Sequence, residues 1–208
     1  FPTRRSSDLG CASLSLLMRM IRSGKFTDKK ILLIDREPKT KNDRTWCFWE
    51  SGESFFESIV YRNWPQVDFL SDTYSATLEI APYAYKMIRG SDFYQYCITE
   101  ISRHPQIETI YAEIGTSVVD ESGTTLELNQ VRYQLPPAVV FNSVYRPGTS
   151  RLNVLQHFKG WVIESAQPVF DPSKASLMDF RVHQQEGTTF AYVLPFDAHR
   201  ALVEYTLF

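Results

Sequence analysis

The stretch from Gly10 to Asp35 constrains the fold of this chain more than any other. Leu14, Leu17, Met18 and Ile21 fall at i, i+3, i+4 and i+7, the spacing of one apolar helix face, and Gly24 stands where such a helix stops. Lys30–Asp35 (KILLID) then reads as a short strand buried on both faces, as in a parallel sheet. A glycine turn, a helix and a buried strand ending in an acid are part of a nucleotide-binding βαβ unit, whose first strand should precede Gly10. Gly10, Cys11, Ala12 and Ser13 take the place of the second half of a glycine-rich dinucleotide loop. There, missing side chains let the backbone approach a diphosphate at a helix N-terminus. Only one of that loop's glycines is present, and Ser13 takes its third position. Asp35, 25 residues after Gly10, is placed to accept hydrogen bonds from ribose hydroxyls. An exposed aspartate at a strand end is the alternative.

The segment before Gly10, Phe1–Leu9 (FPTRRSSDL), lacks the apolar centre of a signal peptide. All of it can be encoded by the end of a common sequencing-read adaptor, so it is expected to be an extraneous tail outside the fold. The last residues, Ala201–Phe208, read as an interrupted strand, and the chain is expected to be truncated at both ends. Between these limits, strands are expected at Trp46–Glu50, Val67–Leu70, Ser75–Ile80 and Tyr83–Ile88, with a helical turn in Ser54–Val60. Ser91 and Asp92 offer a cap to a helix carrying Phe93, Tyr96, Cys97 and Ile101 on one face. Strands follow at Ile107–Ile114, Thr116–Asp120 and Thr125–Leu128, with Ala138–Asn142 as another buried strand. Trp161–Ala166, Ser176–His183, Thr189–Leu194 and Ala201–Leu207 suggest an antiparallel sheet. The expected organisation is an incomplete nucleotide-binding domain (10–50 and 91–147) and a second, incomplete sheet region (51–90 and 148–208).

Composition narrows the function classes. The chain is 43% hydrophobic and 22% charged, as globular proteins are, which excludes disorder. Its net charge is −2 without a block of like charges, so no nucleic-acid partner is expected. Cys11, Cys47 and Cys97, and His104, His157, His183 and His199, have no ligand spacing, and no metal is expected. No apolar run approaches the roughly 20 residues that span a bilayer. A cytoplasmic protein touching membranes peripherally is expected. Aromatic residues make up 14%, which suits either a large apolar cavity or a ring-rich core.

Four segments carry a resemblance: NDRTWCFW (42–49), QHFKGW (156–161), FDPSKASLMDFRV (170–182) and YVLPFDAHRALVEYT (192–206). In order and spacing they resemble the bacterial lycopene beta-cyclases, over about Gly10 to Phe208. The resemblance implies a mixed α/β (α+β) fold of the aromatic-hydroxylase flavoprotein type, with a Rossmann-like FAD-binding domain and an antiparallel-sheet substrate domain. It implies FAD kept reduced by NAD(P)H, and a linear carotenoid such as lycopene as substrate. The implied reaction is a non-redox, intramolecular-lyase (isomerase) cyclisation, in which each linear end is protonated, closes through a carbocation and loses a proton. Lycopene would give beta-carotene through the one-ring gamma-carotene.

An alkene is a very weak base, so its protonation needs a strong acid in an apolar cavity. Burial raises a carboxyl pKa and keeps the donor protonated, and the cation formed needs negative charge or π faces nearby. Glu204 matches the family's catalytic acid; Tyr205 stands where the family often has a second acid. Asp179 matches the family's Met-Asp motif and is expected either to hydrogen-bond Glu204 across neighbouring strands or to steady the cation. The alternative is a pair with Arg181, at i+2 on the same strand face. Arg44 and Thr45 resemble the flavin-proximal part of the family. Trp46, Phe48 and Trp49, with Arg181, are the substrate-wall candidates; Trp46 and Phe48 share a face and Trp49 points the other way. The competing readings are a related FAD/NAD(P)H oxidoreductase, such as a hydroxylase or polyprenyl reductase, and an inactive remnant of such a flavoprotein.

Overall fold

The computed structural model describes residues 9–142, 156–184 and 187–208. In chain order its elements are α1 (Cys11–Ser23), β1 (Ile31–Asp35), β2 (Thr45–Ser51), β3 (Arg62–Trp64), β4 (Gln66–Leu70), β5 (Ser75–Glu79), β6 (Tyr83–Arg89), α2 (Gly90–Ile101), β7 (Ile107–Tyr111), β8 (Ile114–Asp120), β9 (Gly123–Leu128), β10 (Val131–Leu135), β11 (His157–Glu164), β12 (Lys174–Asp179), β13 (Thr189–Pro195) and β14 (Arg200–Leu207). The chain divides into two compact units, residues 1–42 with 91–149, and residues 43–90 with 150–208.

In the first unit α1 buries Leu14, Leu17 and Met18, the stripe that its apolar spacing dictates. It ends at Gly24, whose φ of 65° lies in the left-handed region that favours glycine. β1 pairs in parallel with β7, Ile31 opposite Ile107 through Asp35 opposite Tyr111. β8, β9 and β10 form a separate antiparallel meander. Ile34 and Ala112 pack with Leu126 and Leu128 of β9 into one apolar cluster. α2 buries Phe93, Cys97 and Ile101 as expected, and Tyr94 with them. The expected strand at Ala138–Asn142 does not form. No third strand joins β1 and β7 among the described residues, so nothing there receives its backbone hydrogen bonds, and Val139 is 84% exposed. Leu9, assigned on the sequence to an extraneous tail, is buried in this unit. The strand expected before Gly10 falls outside the described residues.

The second unit holds two sheets. One is three-stranded, in the order β2-β6-β3; the other is six-stranded, β11-β14-β13-β12-β4-β5. The larger is antiparallel except where β12 runs parallel to β4, so the expected antiparallel sheet is a mixed one. Residues 43–50 belong here because β2 pairs along its length with β6, Thr45 opposite Arg89 through Ser51 opposite Tyr83. Trp64 and Met87 of the small sheet pack with Val67, Ala175 and Leu194 of the large one, all almost fully buried. Truncating such a core side chain removes about 2–5 kcal/mol of stability.

Candidate active site

On β14 the residues Leu202, Glu204 and Thr206 alternate onto one sheet face. Antiparallel pairing sets Gly160 of β11 and Tyr192 of β13 on either side of Glu204. Phe158 and Phe190 flank Thr206 in the next row, and Val162 and Leu194 flank Leu202 in the previous one. This face floors a cavity of about 210 Å³, lined below by Phe158, Tyr192, Leu194, Leu202, Glu204 and Thr206. Thr45 and Cys47 of β2, Tyr85 of β6, and Gln156 line the rest.

Among the described residues the Glu204 carboxyl has no hydrogen-bond or ion-pair partner, and burial pushes it above the usual carboxylate range. Its neighbours supply no positive charge. Burial pushes the Cys47 thiol up to about 12, with the hydrogen bond to Tyr85 opposing and the Glu204 charge adding. Burial also raises the Tyr85 and Tyr192 phenols, and the Glu204 charge contributes to both. All three groups are therefore neutral at pH 7. The Thr206 hydroxyl is buried without a partner. The arrangement is a half-buried carboxyl whose surroundings of rings, aliphatic groups and uncharged polar groups favour its protonated form, which suits proton donation to an apolar substrate.

The other sequence candidates separate. Asp179 does not reach Glu204, because β13 lies between β12 and β14. Asp179 stands opposite Ala191, which stands opposite Tyr205, so its row occupies the face away from Glu204. Its carboxylate instead accepts from Arg181 Nε at 2.9 Å and Nη2 at 2.8 Å, which holds it below its ordinary pKa. Arg181 is thereby an exposed partner of Asp179 and is absent from the cavity lining. Thr45 and Cys47 line the cavity, so Trp46 and Phe48, on the opposite face of β2, do not. Trp49 shares the cavity side and packs on Tyr85, with ring centroids 4.8 Å apart. The Arg44 carbonyl accepts from the Gly90 N–H at 2.7 Å. Sequence reasoning missed Cys47, Tyr85, Tyr192, Phe158, Gln156 and Thr206 as site residues. The period-2 parity of β2, counted from Thr45, was the available signal for Cys47; Tyr85 had none, since strand pairing alone brings it there.

In the first unit, Gly10 caps α1 without a side-chain bond, and no acid stands in the first turn. Cys11, Ala12 and Ser13 therefore present backbone N–H groups with no partner inside the helix, which suits a diphosphate. Asp35 fits a ribose less well, because its carboxylate turns inward and is fully buried. It accepts from the Leu9 N–H at 3.0 Å and the Glu37 N–H at 3.3 Å, and pairs with Lys39 at 3.2 Å. It thus ties the start of α1 to the end of β1. No group of metal-ligating side chains assembles among the described residues, and no described helix is long and apolar enough to cross a membrane.

Among solved structures the fold is similar to PqsL of Pseudomonas aeruginosa, described as "a probable FAD-dependent monooxygenase" (TM-score 0.61, 13% identity, 95% of this chain and 58% of that one). It is also similar to a geranylgeranyl bacteriochlorophyll reductase-like protein of Thermoplasma acidophilum (TM-score 0.60, 12% identity, 91% of this chain and 53% of that one). The architecture is thus that of FAD-dependent monooxygenases and reductases, a mixed α/β flavoprotein fold. In sequence the chain is 27% identical to the lycopene beta-cyclase of Pantoea ananas over 187 residues, 86% of this chain and 45% of that protein. It spans less than half the length of that relative. The family model described as lycopene cyclase protein matches residues 9–208, nearly the whole chain, so the chain belongs to the lycopene cyclase family.

Proposed function

We propose that the full-length protein carrying this chain is a lycopene beta-cyclase that forms beta-rings at the linear ends of lycopene or a related carotenoid. The observation that carries this reading is Glu204, a partnerless, half-buried carboxyl raised by burial on the floor of a cavity that Phe158, Tyr192, Leu194 and Leu202 share with uncharged polar groups. In its neutral form Glu204 donates its proton to a terminal double bond of the substrate. The carbocation formed closes onto the chain and loses a proton, so the product is an isomer and no hydride is consumed. Tyr85, Tyr192 and Phe158 offer π faces to the cation. FAD kept reduced by NAD(P)H, when bound, supplies an electron-rich ring system that stabilises positive charge. The N-terminus of α1 (Gly10, Cys11, Ala12, Ser13) would hold its diphosphate, with Asp35 shaping that turn. The substrate is dissolved in membranes, so a peripheral membrane contact belongs to the same reading.

The test is Glu204→Gln in the full-length protein, expressed in cells that accumulate lycopene. Amide and acid have nearly the same shape, but the amide has no proton to donate. Cyclised product should fall by at least about 100-fold, in line with the loss of a general acid, while flavin content is unchanged. Wild-type conversion by the variant would overturn the assignment. Stoichiometric NAD(P)H consumption during turnover would point instead to a reductase or hydroxylase.

A further inference from the structure

Gly160 lies in the middle of β11 with an extended backbone that any residue adopts. Glycine weakens a strand interior, so its place there calls for a close approach by something else. Its two neighbours on the same face, Phe158 and Val162, both carry bulky side chains. A Cβ built at Gly160 would stand 2.8 Å from Cγ and 3.2 Å from Oε1 of Glu204, and 3.3 Å from Cδ1 of Leu202. Gly160 and Glu204 are direct partners in the β11–β14 pairing.

We propose that Gly160 is a positioning residue: its bare Cα is the seat on which the Glu204 side chain lies, and the seat directs the carboxyl along the cavity floor. Any side chain at this position displaces Glu204, because the glutamate is the flexible partner of the contact. The consequence for catalysis rests on the cyclase reading above; the seat itself does not.

Two measurements on the full-length holoenzyme test the proposal. Gly160→Ala should reduce cyclised product about 10–100-fold, the effect of misplacing a reacting group by around 1 Å. Bound flavin should be unchanged, and the pH midpoint of the remaining activity should move away from the wild-type value, since the carboxyl has left its half-buried place. The second measurement is a thermal double-mutant cycle with Glu204→Ala, which removes the clashing Cγ and carboxyl. Gly160→Ala should lower Tm, or abolish folding, when Glu204 is present. In the Glu204→Ala background it should leave Tm unchanged or raise it, because alanine restricts the unfolded chain more than glycine. An equal loss of Tm in both backgrounds, or wild-type activity and pH midpoint in Gly160→Ala, would overturn the seat. If the wild-type protein cyclises no carotenoid, the cyclase reading falls and the thermal cycle still decides the seat.

Discussion

Glu204 and Asp179 are both strand carboxylates, and their surroundings push them in opposite directions. Asp179 is met by a guanidinium fork that favours its charged form, whereas Glu204 is met by phenols, a thiol and aliphatic carbons that favour its neutral form. The ion pair of Asp179 contributes stability above the unfolded carboxylate pKa of about 3.9 and loses it as pH falls through the lower folded value. Half of the Arg181 side chain is exposed, so solvent screening keeps that contribution small. Asp179→Asn should therefore leave cyclisation within a few-fold of wild type and lower stability only slightly, as urea unfolding and product assay would show. A loss as deep as that of Glu204→Gln would place Asp179 in the chemistry instead. The Asp179–Arg181 pair was legible from i, i+2 spacing alone. Glu204 was legible only through the resemblance of its segment, because nothing in Leu-Val-Glu-Tyr-Thr by itself says which face of β14 meets a cavity.

At the scale of elements, the small sheet is anchored to its own loop by Lys86. This lysine of β6 is buried and donates to Glu50 Oε2 at 3.2 Å, to the Gly52 carbonyl at 2.6 Å and to Glu57 Oε2 at 2.5 Å. The contacts fix the turn after β2, the strand that also carries the cavity residues Thr45 and Cys47. Both carboxylates are part-exposed, so removing the lysine leaves them partly solvated. Lys86→Ala should lower unfolding free energy by about 2 kcal/mol, the scale of hydrogen bonds to a charged group, in a denaturant titration. A change below about 0.5 kcal/mol would show the network to be idle. Most elements here were legible: α1, β1 and β13 announce themselves by apolar spacing or by a continuous apolar run. β3 was missed because Arg62–Trp64 is too short to show a period. β10 was missed because its alternation in Val131–Leu135 is exposed throughout most of its length. Ala138–Asn142 was over-read, since an apolar run becomes a buried strand only where neighbours accept its hydrogen bonds.

For the molecule as a whole, the two units carry separate parts of one reading. The first offers a helix N-terminus suited to a diphosphate, and the second carries the half-buried acid. The second unit is assembled from two stretches of chain, 43–90 and 150–208, and the cavity draws on both. That is why local patterns could not outline it: Cys47 and Tyr85 come from one stretch, Phe158, Tyr192 and Glu204 from the other. The raised pKa of the acid is thus a property of the assembled unit. It can be read directly by following the Glu204 carboxyl band in infrared titration of the full-length protein, assigned by its disappearance in Glu204→Gln. The protonated form should persist well above pH 4.3, about where an unperturbed glutamate ionises, and cyclisation should fall as pH rises through the same midpoint, because only the neutral acid can donate. A carboxyl that ionises at about pH 4.3 or below, with cyclisation continuing unchanged through and beyond that point, would contradict the account.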